Sequence, residues 1–312
     1  VYRTVQYAGY FALVVTPLAL LAGAFVAPPV LTTGRLTLGG GVALVGGLAA
    51  VTERERALSP PTAAGFDRSD ARDALAVVAG AVLAYLLSVH AGLGPVVGSA
   101  AVGLAAGLAP TESDVAAYCG SFVGMASPAV FPGVGPVAVA GVISGLAFVA
   151  ARDAFGGVGG KLGTLALFGC GTTVALTGFD YAGGTALPWA MAPEIVAVAV
   201  VGAVVTVVLS VRLGLGGVIG SAAVGLVAGI ALPALVAGGT TLATVAFCAS
   251  FVGMSSTDRL ADERLVAVAG VICGLVFVFV SPAFVGSGGK LGTIAFVSCV
   301  TTIGLTELAA LR

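Results

Sequence analysis

Lysine is almost missing from this chain. Of thirteen basic residues only two are lysines, Lys161 and Lys290. Charge of either sign is scarce: Asp, Glu, Lys and Arg make up 9% of residues, against roughly a quarter in a soluble domain. Such a chain cannot cover a water-facing surface. Histidine occurs once, as His90, and no basic tract exists, so haem ligation, a paired-histidine metal site and a nucleic-acid partner are set aside. The five cysteines (Cys119, Cys170, Cys248, Cys273, Cys299) lie in apolar segments with no CxxC pair, and read as small buried thiols. No Asp or Glu falls deep inside an apolar run, Glu194 and Glu307 being near the ends of theirs. That argues against a proton relay of buried carboxylates. No cluster of acid, base and nucleophile appears, so no catalytic residue, no metal and no cofactor are expected, and an enzyme is disfavoured.

What is present is apolar sequence, 59% of the chain, with 48 glycines. Runs of 16 to 22 apolar residues recur between short polar or Gly/Pro breaks, the signature of helices that cross a bilayer. The fold class expected is an all-α polytopic membrane protein of about twelve spans. They fall at 9–29, 36–51, 74–90, 94–109, 114–130, 136–151, 162–179, 193–211, 215–233, 240–255, 265–282 and 291–310. The first run is longer than a typical signal core and a second follows at once, so a retained helix is expected rather than a signal peptide. Residues 1–51 then form an N-terminal transmembrane hairpin, 52–73 a charged cytoplasmic linker with a Ser59-Pro60-Pro61 break, and 74–187 and 188–312 two repeats of five helices.

The repeat is legible directly. Gly92 to Gly107 matches Gly214 to Gly229 at 13 of 16 positions, 122 residues apart. Cys119 to Met125 (CGSFVGM) matches Cys248 to Met254 (CASFVGM), and Val137 to Leu146 matches Val266 to Leu275 at nine of ten positions. These later blocks are 129 residues apart, which places a seven-residue insertion around Leu232–Thr240.

Five spans per repeat is an odd number, so the halves should have opposite topology. With both termini and the linker cytoplasmic, the inside carries Arg3, Arg54, Arg56, Arg68, Arg72, Arg152, Lys161, Arg212, Arg259, Arg264 and Arg312, and the outside only Arg35 and Lys290. Parallel repeats would divide the same residues 8 to 5, so the positive-inside rule favours inversion in the cell membrane. Trp189 and Tyr181 then anchor the loop between repeats at the outer interface.

Both lysines occupy one hexapeptide, Gly159-Gly160-Lys161-Leu162-Gly163-Thr164 and Gly288-Gly289-Lys290-Leu291-Gly292-Thr293. Neighbouring segments such as Val149–Phe155 and Val278–Phe284 have diverged while this one has not. Glycines allow a tight turn, the next helix offers unpaired N–H groups and a positive dipole end, and an ammonium sits between them, a fair design for an anion site. The plain alternative is that each lysine caps the preceding helix or snorkels. The motif lacks P-loop spacing. Ser121 and Ser250, in the short third span of each repeat, offer hydroxyls where Pro128, Pro132 and Pro136 suggest a break, and inverted-repeat transporters place their sites at interrupted helices. Cys and Met in CGSFVGM are six residues apart and do not share a helix face, which counts against a soft-metal site. Thr172, Thr173, Thr301 and Thr302 read as threonines bonded to their own helix. Small-xxx-small pairs such as Gly94/Gly98 and Gly216/Gly220 read as packing surfaces.

The expected function is a transporter of a small anionic solute by alternating access, with Lys161, Lys290, Gly159, Gly160, Gly288, Gly289, Thr164, Thr293, Ser121 and Ser250 contacting it. A passive channel of the same architecture and a non-transporting membrane scaffold are the alternatives. The expected partners are the small-molecule solute and the lipid bilayer; homo-oligomerisation stays open.

Overall fold

The computed structural model describes residues 2–26, 33–57 and 67–311. Every described helix falls on an expected apolar run: α1 (Tyr2–Val26), α2 (Thr33–Ala57), α3 (Arg68–Tyr85), α4 (Gly94–Leu108), α5 (Asp114–Val123), α6 (Val134–Ala150), α7 (Lys161–Thr177), α8 (Ala192–Val207), α9 (Gly217–Leu235), α10 (Gly239–Ser250), α11 (Glu263–Phe279) and α12 (Lys290–Ala310). No strand occurs among the described residues. The expected linker is shorter than its charge pattern suggests, because α2 runs on to Ala57 and α3 begins at Arg68. The Ser59-Pro60-Pro61 break and residues 27–29 of the first expected span lie outside the described residues.

Six segments are long and apolar enough to cross a membrane: Arg3–Val26, Leu36–Glu55, Arg68–His90, Trp189–Arg212, Gly217–Leu235 and Lys290–Ala310. Large side chains such as Leu44, Leu146, Leu176, Val201 and Val227 project from the surface, where lipid rather than water suits them. The remaining helices are shorter. At 1.5 Å per residue, the ten residues of α5 rise about 15 Å, half of a roughly 30 Å hydrocarbon core. The helix stops at Gly124, ahead of the prolines, and the chain continues in non-helical form to Gly133. It nonetheless follows the whole of α3. The Ser113 hydroxyl donates to Asp73 at 2.7 Å near the start of α3, and the Tyr85 hydroxyl donates to the Phe131 carbonyl at 2.7 Å near its end. That close path depends on Gly120, where a Cβ would lie 1.9 Å from the Val77 carbonyl oxygen.

Matched sequence gives matched local structure. A π-helical turn ends both α3 and α8, at Leu86–His90 and Val208–Arg212. Phe155 and Phe284, 129 residues apart, are the two non-glycine residues with positive φ among the described residues, at 52° and 50°. The inserted residues lengthen α9 through Pro233 to Leu235.

The two sequence-matched stretches, called halves below, meet along two helix pairs. Gly107 of α4 faces Val218 and Ile219 of α9, whereas Gly229 of α9 faces Val96 and Val97 of α4, so these helices run antiparallel. The first turns of α7 and α12 also cross antiparallel. Gly160 abuts Gly292 and Phe296, Gly289 abuts Gly163 and Leu167, and Gly163 meets Gly292 at the crossing.

The α1–α2 hairpin packs on α12, α6 and α7. Its tightest tie is Glu53 (5% exposed), which holds Arg259 by two 2.8 Å bonds and accepts the Phe155 amide at 3.1 Å. Arg259 also donates to the Gly156 carbonyl at 2.7 Å. One buried carboxylate therefore joins the hairpin to the α6–α7 loop of one half and the α10–α11 loop of the other.

Candidate functional site

The GGKLGT turns are shaped by backbone chirality. Gly157, Gly160, Gly286 and Gly289 all adopt left-handed conformations, φ 74° to 81°, which glycine enters without the Cβ penalty. Gly160 and Gly289 then start α7 and α12. Each lysine is the first helical residue and reaches back. Lys161 Nζ donates to the Ala151 carbonyl at 2.6 Å and the Arg152 carbonyl at 3.1 Å; Lys290 Nζ donates to the Ser281 carbonyl at 2.8 Å. These carbonyls close α6 and α11, where the helix dipole is negative. The capping role is therefore met in both halves. An ammonium has three donors, and two are used by Lys161 in these bonds and one by Lys290.

Each lysine also lines a cavity. Lys161 faces one of about 610 Å³ and Lys290 one of about 320 Å³. Their walls are related position by position: Phe148 answers to Phe277, Leu162 to Leu291, Gly160 to Gly289, and Met254 to Met125. The last pair is exchanged between halves, because each GGK loop packs on the far half. Gly159 abuts the Phe251 and Val252 carbonyls, and Gly288 those of Phe122 and Val123. Ser256 donates its amide to the Gly157 carbonyl at 2.9 Å, and Ser127 to that of Gly286 at 2.8 Å.

No described residue lines both cavities. Phe122 and Phe251 wall the Lys161 cavity and belong to a buried aromatic cluster with Tyr118 and Phe247. Ring centroids are 4.5 Å apart for Tyr118–Phe122, 4.6 Å for Phe122–Phe251 and 4.7 Å for Phe247–Phe251. The sequence reading missed this cluster, although Phe122 and Phe251 stand at the same place in CGSFVGM and CASFVGM.

The structure separates the expected site residues into two groups. Lys161, Gly159 and Gly160 line one cavity, and Lys290 and Gly289 the other. Gly288, Thr164, Thr293, Ser121 and Ser250 line neither. Thr164 and Thr293 donate to the Gly160 and Gly289 carbonyls of their own helices, both at 3.2 Å, and Thr172, Thr173 and Thr302 do likewise. Ser121 bonds Ser99 at 2.8 Å and the Tyr118 carbonyl at 2.7 Å; Ser250 bonds Ser221 and the Phe247 carbonyl, both at 2.7 Å. The Tyr118 hydroxyl reaches Ser221 at 2.9 Å and links the halves. The serines thus satisfy one another inside the bundle. All five cysteines are buried, and no group of three or more His, Cys, Asp or Glu is placed to hold a metal among the described residues.

Comparison with protein-family models, with curated proteins and with solved structures finds no match. The functional reading rests on the site itself.

Proposed function

We propose that this protein is an integral membrane transporter that moves a small anion by alternating access, its two matched halves related by inverted topology. The observation that carries the reading is the pair of separate cavities with matched walls, each holding one of the two lysines. In this reading the crossing of α7 and α12 marks a two-fold axis in the membrane plane, and rocking one half against the other exposes one cavity and closes the other. The antiparallel contacts of α4 with α9 and of α7 with α12 support inversion, because parallel repeats would not give them. The ion pairs among the described residues support the cytoplasmic assignment of one end. Asp70, Asp73, Arg72, Glu112, Arg152, Arg212, Glu263, Glu53 and Arg259, which form them, all fall on that side. The Lys161 cavity then opens to the cytoplasm and the Lys290 cavity to the outside, with both termini cytoplasmic in the cell membrane.

Topology is tested by single cysteines at Lys161 and Lys290 in a background without native thiols. An impermeant reagent is expected to label them from opposite faces. Labelling of both from one face would remove inversion.

Transport is tested with purified protein in liposomes and a panel of labelled small anions. Lys161→Met and Lys290→Met are each expected to weaken binding by about 10- to 150-fold, since a charge-assisted bond is worth roughly 1.5–3 kcal/mol. Arginine at either position should retain part of it. Elution as a single species shows whether loss of the helix cap alone explains the change. Full uptake by the folded double variant would leave both lysines as caps and remove the case for an anionic solute; no uptake by the wild type would favour the scaffold, and a large unitary current would favour a channel.

A further inference from the structure

The two cavities share matched wall positions but differ in size and in charge. The wall of the Lys161 cavity carries three carboxylates, Asp73, Glu112 and Asp114, against two cations, Arg152 and Lys161. Among the described residues, the wall of the Lys290 cavity carries Lys290 as its one ionic group, with hydroxyls from threonines and serines. Duplication makes the difference readable at single positions. Glu112 corresponds to Thr241, Asp114 to Ala243, Arg152 to Ser281 and Asp73 to Ile195. Ion pairing does not cancel it. Arg152 is held by Asp70 and lies 3.9 Å from Asp73, and Glu112 pairs with Arg72. Adding Asp70 and Arg72 leaves carboxylates one ahead of cations. Lys161 already gives two N–H bonds to carbonyl oxygens, and Lys290 gives one.

Resting on the transport reading above, we propose that the anion is captured at the Lys290 cavity and released from the Lys161 cavity, with Glu112 and Asp114 setting that polarity. An anion entering on Lys290 meets a site of net positive charge. After the halves rock, the same anion faces a wall on which carboxylates outnumber cations, and its affinity falls. At a separation of roughly 8–10 Å, with an effective dielectric between those of protein surface and bulk water, one carboxylate changes the local anion concentration by about three- to sixfold. The asymmetry sets the affinity on each face. It cannot alter the final gradient of a passive carrier, because the conformational equilibrium shifts to compensate.

The local potential can be read without knowing the solute. Met125 and Met254 are matched positions, one on each cavity wall. Met125→Cys and Met254→Cys, with the five native cysteines replaced by alanine, are reacted with methanethiosulfonates bearing a sulfonate or a trimethylammonium. The ratio of sulfonate to trimethylammonium rates is expected to be about tenfold higher at Met125→Cys, and the gap should narrow in high salt. Glu112→Gln/Asp114→Asn should raise the ratio at Met254→Cys and leave Met125→Cys unchanged. Both residues lie at the start of α5, so single-species elution checks the fold, and Glu112→Gln alone is the milder variant.

Flux of labelled phosphate and sulfate is measured in the same vesicles with each face exposed in turn. The half-saturating concentration should be lower on the Lys290 face, and Glu112→Gln/Asp114→Asn should bring the two faces together. Equal reagent ratios at the two cysteines alongside measurable flux would overturn the capture-and-release polarity alone. A tenfold difference with no flux of either anion would overturn both assignments and leave only the electrostatic contrast between the cavities.

Discussion

Glu53→Ala is expected to destabilise the protein by about 3–5 kcal/mol, the usual result of removing one partner from a buried ion pair. Glu53 is 5% exposed and Arg259 14%, so little water is at hand to solvate the guanidinium left behind. The Phe155 amide loses its acceptor too, and Phe155 is already held at a positive φ of 52°, a conformation that costs a bulky residue of order 1–3 kcal/mol. The measurement is the thermal transition in detergent, followed by loss of monodisperse protein. Glu53→Gln should fall between wild type and Glu53→Ala, because it keeps an acceptor for the amide and gives up the charge. Arg259→Leu combined with Glu53→Ala should recover part of the loss, since no unpaired charge then remains buried. The exposed Arg72–Glu112 pair, with side chains 52% and 85% exposed, sets the scale from the other end. Breaking it should cost no more than about 1 kcal/mol. Equal effects at the two pairs would show that Glu53 does not hold the hairpin and the two loops together.

Gly163→Ala and Gly292→Ala should each loosen the crossing of α7 and α12. A Cβ at either position would lie 2.5 Å from the opposing glycine Cα. Both sides of that contact are backbone, so no flexible side chain can move away. Overpacking of this kind costs typically 1–3 kcal/mol and sometimes more, and the double variant should lose more than the sum, because the two methyl groups would occupy the same gap. The expected readout is a lower thermal transition together with a change in the Lys161 and Lys290 cavities, whose walls include Gly160 and Gly289 on the turns beside the crossing. Gly41→Ala and Gly47→Ala serve as controls. A Cβ there meets nothing within 4 Å, and alanine favours the helix by up to about 1 kcal/mol, so stability should hold or rise slightly. A similar drop at Gly47 would mean that glycine content in general, and not this crossing, governs the fold.

Much of the secondary structure was visible in the sequence, since apolar runs bounded by Gly, Pro or charge have few other ways to satisfy their backbone. Most helices came within a few residues of the expected spans, although α1 and α3 begin well ahead of theirs and α2 runs on past its end. The third span of the first repeat was the main difference: α5 ends at Gly124, and the chain up to Gly133 stays against α3 without helix. A hydropathy pattern cannot tell such a segment from a helix, because both are apolar and only packing against Ala81, Ala84 and Tyr85 shapes it. The GGKLGT turns were legible as well, through successive glycines and paired lysines that stand out against an arginine-rich background.

The sequence by itself determined the helical, apolar character of the chain, the repeated sequence blocks, and the two lysine turns. These follow from composition, periodicity and repeated spelling, all of which are local. Tertiary structure decided which polar groups face space and which face each other. Ser121 and Ser250 were equal candidates with the lysines on chemistry alone, yet Ser99 and Ser221 from neighbouring helices consume their hydrogen bonds. The lysines became both caps and cavity walls because α6 and α11 bring carbonyl oxygens to them. The union of Glu53 with Arg259, 206 residues apart, and the packing of Phe122 on Phe251 depend on how the helices cross. No pattern within one segment encodes that geometry, because its energy lies in contacts between segments that are distant in the chain.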